Sequence, residues 1–365
     1  VTMDKKDMFE ELAKGVLLPV LGIILALFIG SILMLFMHIN PLIAYAQLIK
    51  GSVGSIYALS ETMVRATPIL FTGLAYAFAY RCGLFNIGAE GQFYLGGLFA
   101  TLAATLIPPV SIWINLPLTL AAAFVGGGIW CAIPGFLKVW KGISESITTI
   151  MFVYIGQYLV SYMVSGPIKD AGYFPQSRPI PSYAALPNIL KGTRLNLGFP
   201  LALLFVLLFY VVLFRSSIGF RIRIVGSNIG AAKYLGLKIP KTIVLAMFIS
   251  GGLAGLGGAS EVLGVQGRLL ELFSPGYGWD GITVGLLGRT HPVGIFIAAL
   301  FIGMLRSGGS VMQRSMGVPV ALIYVLQAVI IIVGVASTFA EHRRKATISL
   351  KTKHTILRQR EGKAQ

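Results

Sequence analysis

Apolar runs of roughly bilayer length recur along the whole chain, and they leave very few folds open to it. They fall at 16–37, 62–81, 91–108, 112–137, 146–165, 197–214, 242–262, 281–288, 292–308 and 318–338. Most approach the ~20 residues that carry a helix across a hydrocarbon core about 30 Å thick. In lipid the backbone must satisfy its own hydrogen bonds, which leaves helices and closed barrels. The alternating pattern of barrel strands is missing from these runs. The expected fold is therefore an all-α integral membrane protein with about ten membrane-embedded helical segments. The run at 281–288 is too short to cross alone, and Gly285, Gly288 and Pro292 punctuate it. It is expected to be a broken or re-entrant half-helix, buried in protein or lining a cavity. The first run is too long for the core of a cleaved signal and lacks a small-residue cleavage site after it, so it reads as a retained first span.

Composition supports lipid as the solvent. Only 12% of the 365 residues are charged, whereas a water-soluble domain carries about a quarter. The net charge of +17 would suit a nucleic-acid binder if it were clustered, but the basic residues sit in the gaps between apolar runs. That placement follows the positive-inside bias. With the N-terminus inside and each segment reversing direction, 21 of the 30 Lys and Arg fall on the cytoplasmic side. Both termini are then cytoplasmic: residues 1–15 form a short leading segment, 16–338 the membrane domain, and 339–365 a basic tail near anionic headgroups. Cys82 and Cys131 lie inside apolar segments, where packing is the expected role, and neither a disulfide framework nor a zinc site is supported. There is no phosphate-binding G-x-x-x-x-G-K-[ST] and no H-E-x-x-H, and the four histidines are scattered. An enzyme, a metal centre and a bound cofactor therefore find no support.

What carries chemistry is polarity where polarity is expensive. The stretch Arg81–Gly97 sets Asn86, Glu90 and Gln92 among glycines between two apolar runs. An ionisable Glu90 at that depth either faces a solute pathway or caps the helix that begins there. Ser274–Gly294 repeats the style, with Tyr277, Trp279 and Asp280 at one end and Arg289 at the other. Two glycine-interrupted polar segments in corresponding halves point to a central transport site built on an internal repeat. Asn86, Gln92, Tyr277 and Trp279 would offer hydrogen-bonding and aromatic groups to a neutral solute. Glu61 and Arg65, one turn apart, are expected to pair. Gly251, Gly255 and Ala259, four residues apart, let helices approach closely. The Pro- and aromatic-rich connection 166–196 is placed to fold over the external mouth or simply to close the loop. The inner connection 215–241 contains a short helix, Asn228–Leu235, with Ser227 as N-cap, Gly236 as stop and Pro240 just beyond. A short exposed helix on the cytoplasmic face suits the docking of a partner.

The segment VGSNIGAAKYLGLKIPKTIVLAMFISGGLAGLGGA, Val225 to Ala259, resembles the coupling loop and following span of ATP-binding-cassette (ABC) import permeases of the branched-chain amino acid and ribose class. GLFNIGAEGQ, Gly83 to Gln92, is similar more narrowly to permeases of bacterial nucleoside importers. The resemblance runs from about Glu61 to Ser337. It implies a non-catalytic permease subunit of the plasma membrane, forming the pathway with a second permease. The implied partners are a cytoplasmic ABC ATPase and an extracellular substrate-binding lipoprotein. Carried onto this chain, Ser227, Asn228, Ala231, Ala232, Tyr234 and Gly236 would form the ATPase-docking surface, and Asn86, Glu90 and Gln92 would lie at or near the pathway. Ribose-type sugars and branched-chain amino acids are the competing solutes. An ATPase-independent channel or transporter is the alternative from another class.

Overall fold

The computed structural model describes residues 24–319, 321–329 and 332–333. The expected leading segment 1–15, the start of the first span, the end of the last span and the basic tail lie outside these residues. Two compact units divide the chain, residues 45–315 and a unit formed by 1–44 with 316–365. In the second of these, the described helices are α1 (Ile24–Phe36) and a stretch over 321–329.

The unit 45–315 holds helices throughout, and among the described residues no strand longer than an isolated bridge forms. In chain order it contains most of α2 (Pro41–Val53), then α3 (Ile56–Tyr80), α4 (Ala89–Leu106), α5 (Ile112–Lys141) and α6 (Glu145–Ser165). There follow α7 (Gly198–Tyr210), α8 (Ser217–Ser227), α9 (Ile229–Tyr234), α10 (Ile239–Glu261), α11 (Tyr277–Leu287) and α12 (Pro292–Met316). A π-helical turn extends α7 over Val211–Arg215, and another extends α10 over Val262–Gln266. Five helices are long and apolar enough to cross a membrane: α5, α6, α7 and α10 with their π turns, and α12. The pair α2 and α3, bent by 81°, makes a sixth if it is one span. The ten expected segments thus correspond to five or six helices long and apolar enough to cross among the described residues, with α4 long enough but more polar and α11 shorter.

Helix α10 is the axis of this unit, packed on α3, α4 and α5. Small residues make that possible: a side chain on Gly255 would strike the Ala123 carbonyl of α5, and one on Gly96 of α4 would strike Gly255 itself. Backbones in lipid pack this closely only where side chains vanish. Two elements depart from the sequence reading. Helix α2 is an addition: Lys50 and the glycines after it interrupt the apolar pattern, and Ser55, extended at φ −155 and ψ 164, turns the chain sharply. Its hydroxyl accepts from the Ala58 amide at 3.1 Å, starting α3 afresh. Helix α8 also forms inside the supposed connection, because Ser216 caps it through the Gly219 amide at 3.1 Å. The short run at 281–288 is the core of α11, whose 11 residues rise about 16 Å, half a hydrocarbon core. Its glycine face is packed against α3, with Gly281 against Thr72 and Gly285 against Tyr76.

Candidate functional site

Glu90 sits in the first turn of α4 and is 1% exposed. Its Oε2 accepts from the Gly278 amide at 2.6 Å, in the first turn of α11. One carboxylate therefore lies at two helix N-termini, each presenting the positive end of its dipole. The arrangement demands a glycine at 278, where a Cβ would overlap the Glu90 backbone. Asp280, two residues on, pairs with Arg306 of α12 at 2.6 Å. Arg306 also donates to the Pro275 carbonyl at 3.3 Å and lies 5.2 Å from the Tyr277 ring centroid. Thr72 of α3 donates to the Tyr277 carbonyl at 2.8 Å. The start of α11 is thus held by α3, α4 and α12 through charged and polar groups that are almost wholly buried.

Asn86 and Gln92 form a second, separate lock. Asn86 Nδ2 donates to Gln92 Oε1 and to Ser250 Oγ, and its Oδ1 accepts from Gln92 Nε2 and the Gly88 amide, all at 2.9–3.0 Å. Ser250 in turn donates to the Ala75 carbonyl at 2.7 Å. Every polar group of the Asn86 amide is used, so this residue ties α4 to α10 and α3. Of the six residues singled out for the pathway, Glu90, Tyr277 and Asp280 converge, Asn86 and Gln92 pair with each other, and Trp279 stands apart at 39% exposed.

A cavity of about 300 Å³ opens beside the α2–α3 bend, lined in part by Tyr57, Glu61, Arg65, Arg194 and Arg314. Glu61 pairs with Arg194, which corrects the expected pair with Arg65. Arg194 reaches Glu61 by two hydrogen bonds, a fork that Arg65, one turn along the same helix, does not make. Among the described residues, the Nε of Arg65 is buried with no hydrogen-bond partner, and four basic side chains face one carboxylate around this cavity, Lys50 being the fourth. No sequence signal marks Arg194, because it arrives from the long connection after α6. That connection is anchored along the end of α10, with Ile180, Ser177 and Leu186 amides donating to Gly267, Leu269 and Leu263 carbonyls at 2.8–3.0 Å.

At the far end of α3, about 37 Å from its start, lies the predicted docking helix. Asn228 and not Ser227 caps α9, accepting from the Ala231 amide at 3.0 Å, while Ser227 closes α8. Gly236 stops α9 in the left-handed region at φ 68, with the Gly236 and Leu237 amides donating to Lys233 and Ala232 carbonyls at 3.0 Å. This is a complete Schellman stop. Tyr234 is 95% exposed and Ala231 is exposed, whereas Ala232 is fully buried and faces the protein.

With its buried polar centre, broken helix pair and exposed short helix, the chain is a polytopic helical membrane protein. Its affiliation is more specific: the chain belongs to the family described as branched-chain amino acid transport system / permease component, whose model matches residues 58–335. It is 38% identical to a guanosine ABC transporter permease of Bacillus subtilis, over 89% of this chain and 94% of that protein. It is 35% identical to a glucose ABC transporter permease of Haloferax volcanii, covering 89% and 88% of the two chains. A nucleoside ABC transporter permease of Lactococcus lactis is 31% identical over 87% and 90%. No solved structure matches the chain.

Proposed function

We propose that this chain is a permease subunit of an ATP-driven importer of nucleosides in a bacterial plasma membrane. The observation that carries the reading is near-full-length similarity to permeases named for guanosine and for nucleosides. A second permease completes the pathway, a cytoplasmic ABC ATPase docks on α9, and an extracellular lipoprotein delivers the solute. The chain itself hydrolyses nothing, and the ATPase supplies the work. The exposed face of α9 at Ala231 and Tyr234, backed by the rigid Gly236 stop, supports the docking role. Both termini are cytoplasmic, and the full count of about ten embedded segments, arranged as an internal repeat, includes the first and last spans.

The Glu90–Gly278 and Asp280–Arg306 contacts support a hinge role for the buried centre. Four helices meet there through polar bonds that can exchange partners. Sugar import is the second reading, favoured by the similarity to a permease named for glucose. Uptake of labelled guanosine, glucose and leucine in cells with and without the gene separates the two. Loss of guanosine uptake alone supports the nucleoside reading. Unchanged guanosine uptake with lost glucose uptake replaces it by the sugar reading.

A further inference from the structure

At the α8 end of the unit 45–315 a cavity of about 470 Å³ is lined by both basic and apolar side chains. Arg81, just after α3, donates from Nε and Nη2 to the Thr290 carbonyl at 3.3 and 3.1 Å. That carbonyl is presented by two consecutive non-glycine residues in the left-handed region, Arg289 at φ 51 and Thr290 at φ 53, a geometry such residues seldom adopt. Arg223 of α8 lies 5.4 Å from the Phe214 ring centroid and Arg81 5.6 Å from the same ring. Two guanidiniums therefore share one aromatic ring, and among the described residues no acidic side chain lines the cavity. Burial first, and the Arg223 charge second, push the Arg81 guanidinium below its ordinary value. The Arg223 side chain makes no hydrogen bond to any described residue. Adjacent cations of this kind are stabilised by an anion placed between them.

The apolar part of the lining narrows the choice of anion. Tyr80 and Phe220 are both exposed, and Ile224 continues the surface beside them. We propose that this cavity holds an anionic membrane phospholipid, its phosphate on Arg81 and Arg223 and an acyl chain along Phe220 and Ile224. The guanidinium fork matches phosphate oxygens two at a time. Basic pockets between helices at a membrane face suit anionic headgroups. A free phosphate would satisfy the arginines and leave the apolar side chains beside them unused, so the mixed lining selects a lipid.

The test is lipid retention by the purified full-length chain in detergent, read by native mass spectrometry after adding phosphatidylglycerol or phosphatidylcholine. The wild-type chain is expected to keep phosphatidylglycerol in preference to phosphatidylcholine. Arg223→Gln should weaken that retention about tenfold, the scale of one charge-assisted hydrogen bond. Lys241→Gln, an exposed basic residue outside this cavity, should leave retention unchanged. Should Arg223→Gln lower the melting temperature, Arg223→Lys keeps the charge and is expected to retain the preference at reduced strength. Equal retention by wild type and Arg223→Gln, or equal losses in Arg223→Gln and Lys241→Gln, would overturn the proposal. Displacement of the lipid by inorganic phosphate would also overturn it, by assigning the site to a free anion.

Discussion

Removing the Glu90 carboxylate strands the Gly278 amide in a buried place without an acceptor. A lost partner of that kind costs about 1–3 kcal/mol. Glu90→Ala is therefore expected to lower the melting temperature, while Glu90→Gln, which keeps an acceptor oxygen, should hold it close to wild type. Equal melting temperatures for Glu90→Ala and wild type would show that the contact stabilises nothing. The Glu61–Arg194 pair is weaker because the Arg194 side chain is half exposed. Either single substitution should cost less than about 1 kcal/mol, with a charge-swapped double variant recovering most of it in a double-mutant cycle. Burial pushes the Cys82 thiol up to about 12, and Cys131 is enclosed by helix α5 and its neighbours. Neither thiol should react with a maleimide at neutral pH until the chain is unfolded, as a mass measurement would show. At this scale the sequence reveals which residues are costly, because Glu90, Asp280, Asn86 and Gln92 interrupt apolar runs. It does not reveal their partners. Arg306 and Arg194 come from segments distant in sequence, and no periodicity links Glu61 to a residue 133 positions away.

Elements were legible wherever apolar runs are long and their ends carry recognised caps. Helices α5, α6, α7 and α10 lie close to their expected bounds, and the small-residue stripe on α10 does bring helices into contact. The expected stop at Gly236 also stands, though the cap before it moves from Ser227 to Asn228. Misreadings concentrate where polar residues sit inside helices. Helix α2 carries Lys50 and α8 carries Arg221 and Arg223, so hydropathy alone passes them over. Gly236→Ala forces a side chain into the left-handed region, at about 1–2 kcal/mol. Because Gly236 has open space around it, the substitution should leave membrane insertion intact and lower coupled uptake, measured as transport per ATP hydrolysed. Unchanged coupling would remove the Schellman stop from the docking argument. Gly255→Val meets the α5 backbone at Ala123 and Gly127, so no folded protein should be recovered in detergent.

For the whole molecule, the two ends of α3 give opposed chemical faces. One carries Glu61, Arg194 and the anchored connection, and the other carries α8, α9 and the paired arginines. In intact cells an impermeant maleimide should label Tyr173→Cys, fully exposed on the connection, and should miss Tyr234→Cys on α9. The reverse pattern would turn the molecule over in the membrane and remove α9 from the ATPase. Family membership rests on residues 58–335, and the solute on relatives of two chemistries. The decisive measurement is nucleoside accumulation in proteoliposomes containing this chain, its partner permease, the ATPase and the binding lipoprotein. ATP-dependent accumulation that disappears when the ATPase is left out is the predicted result; nucleoside transport by this chain alone, unaffected by ATP, would contradict the account.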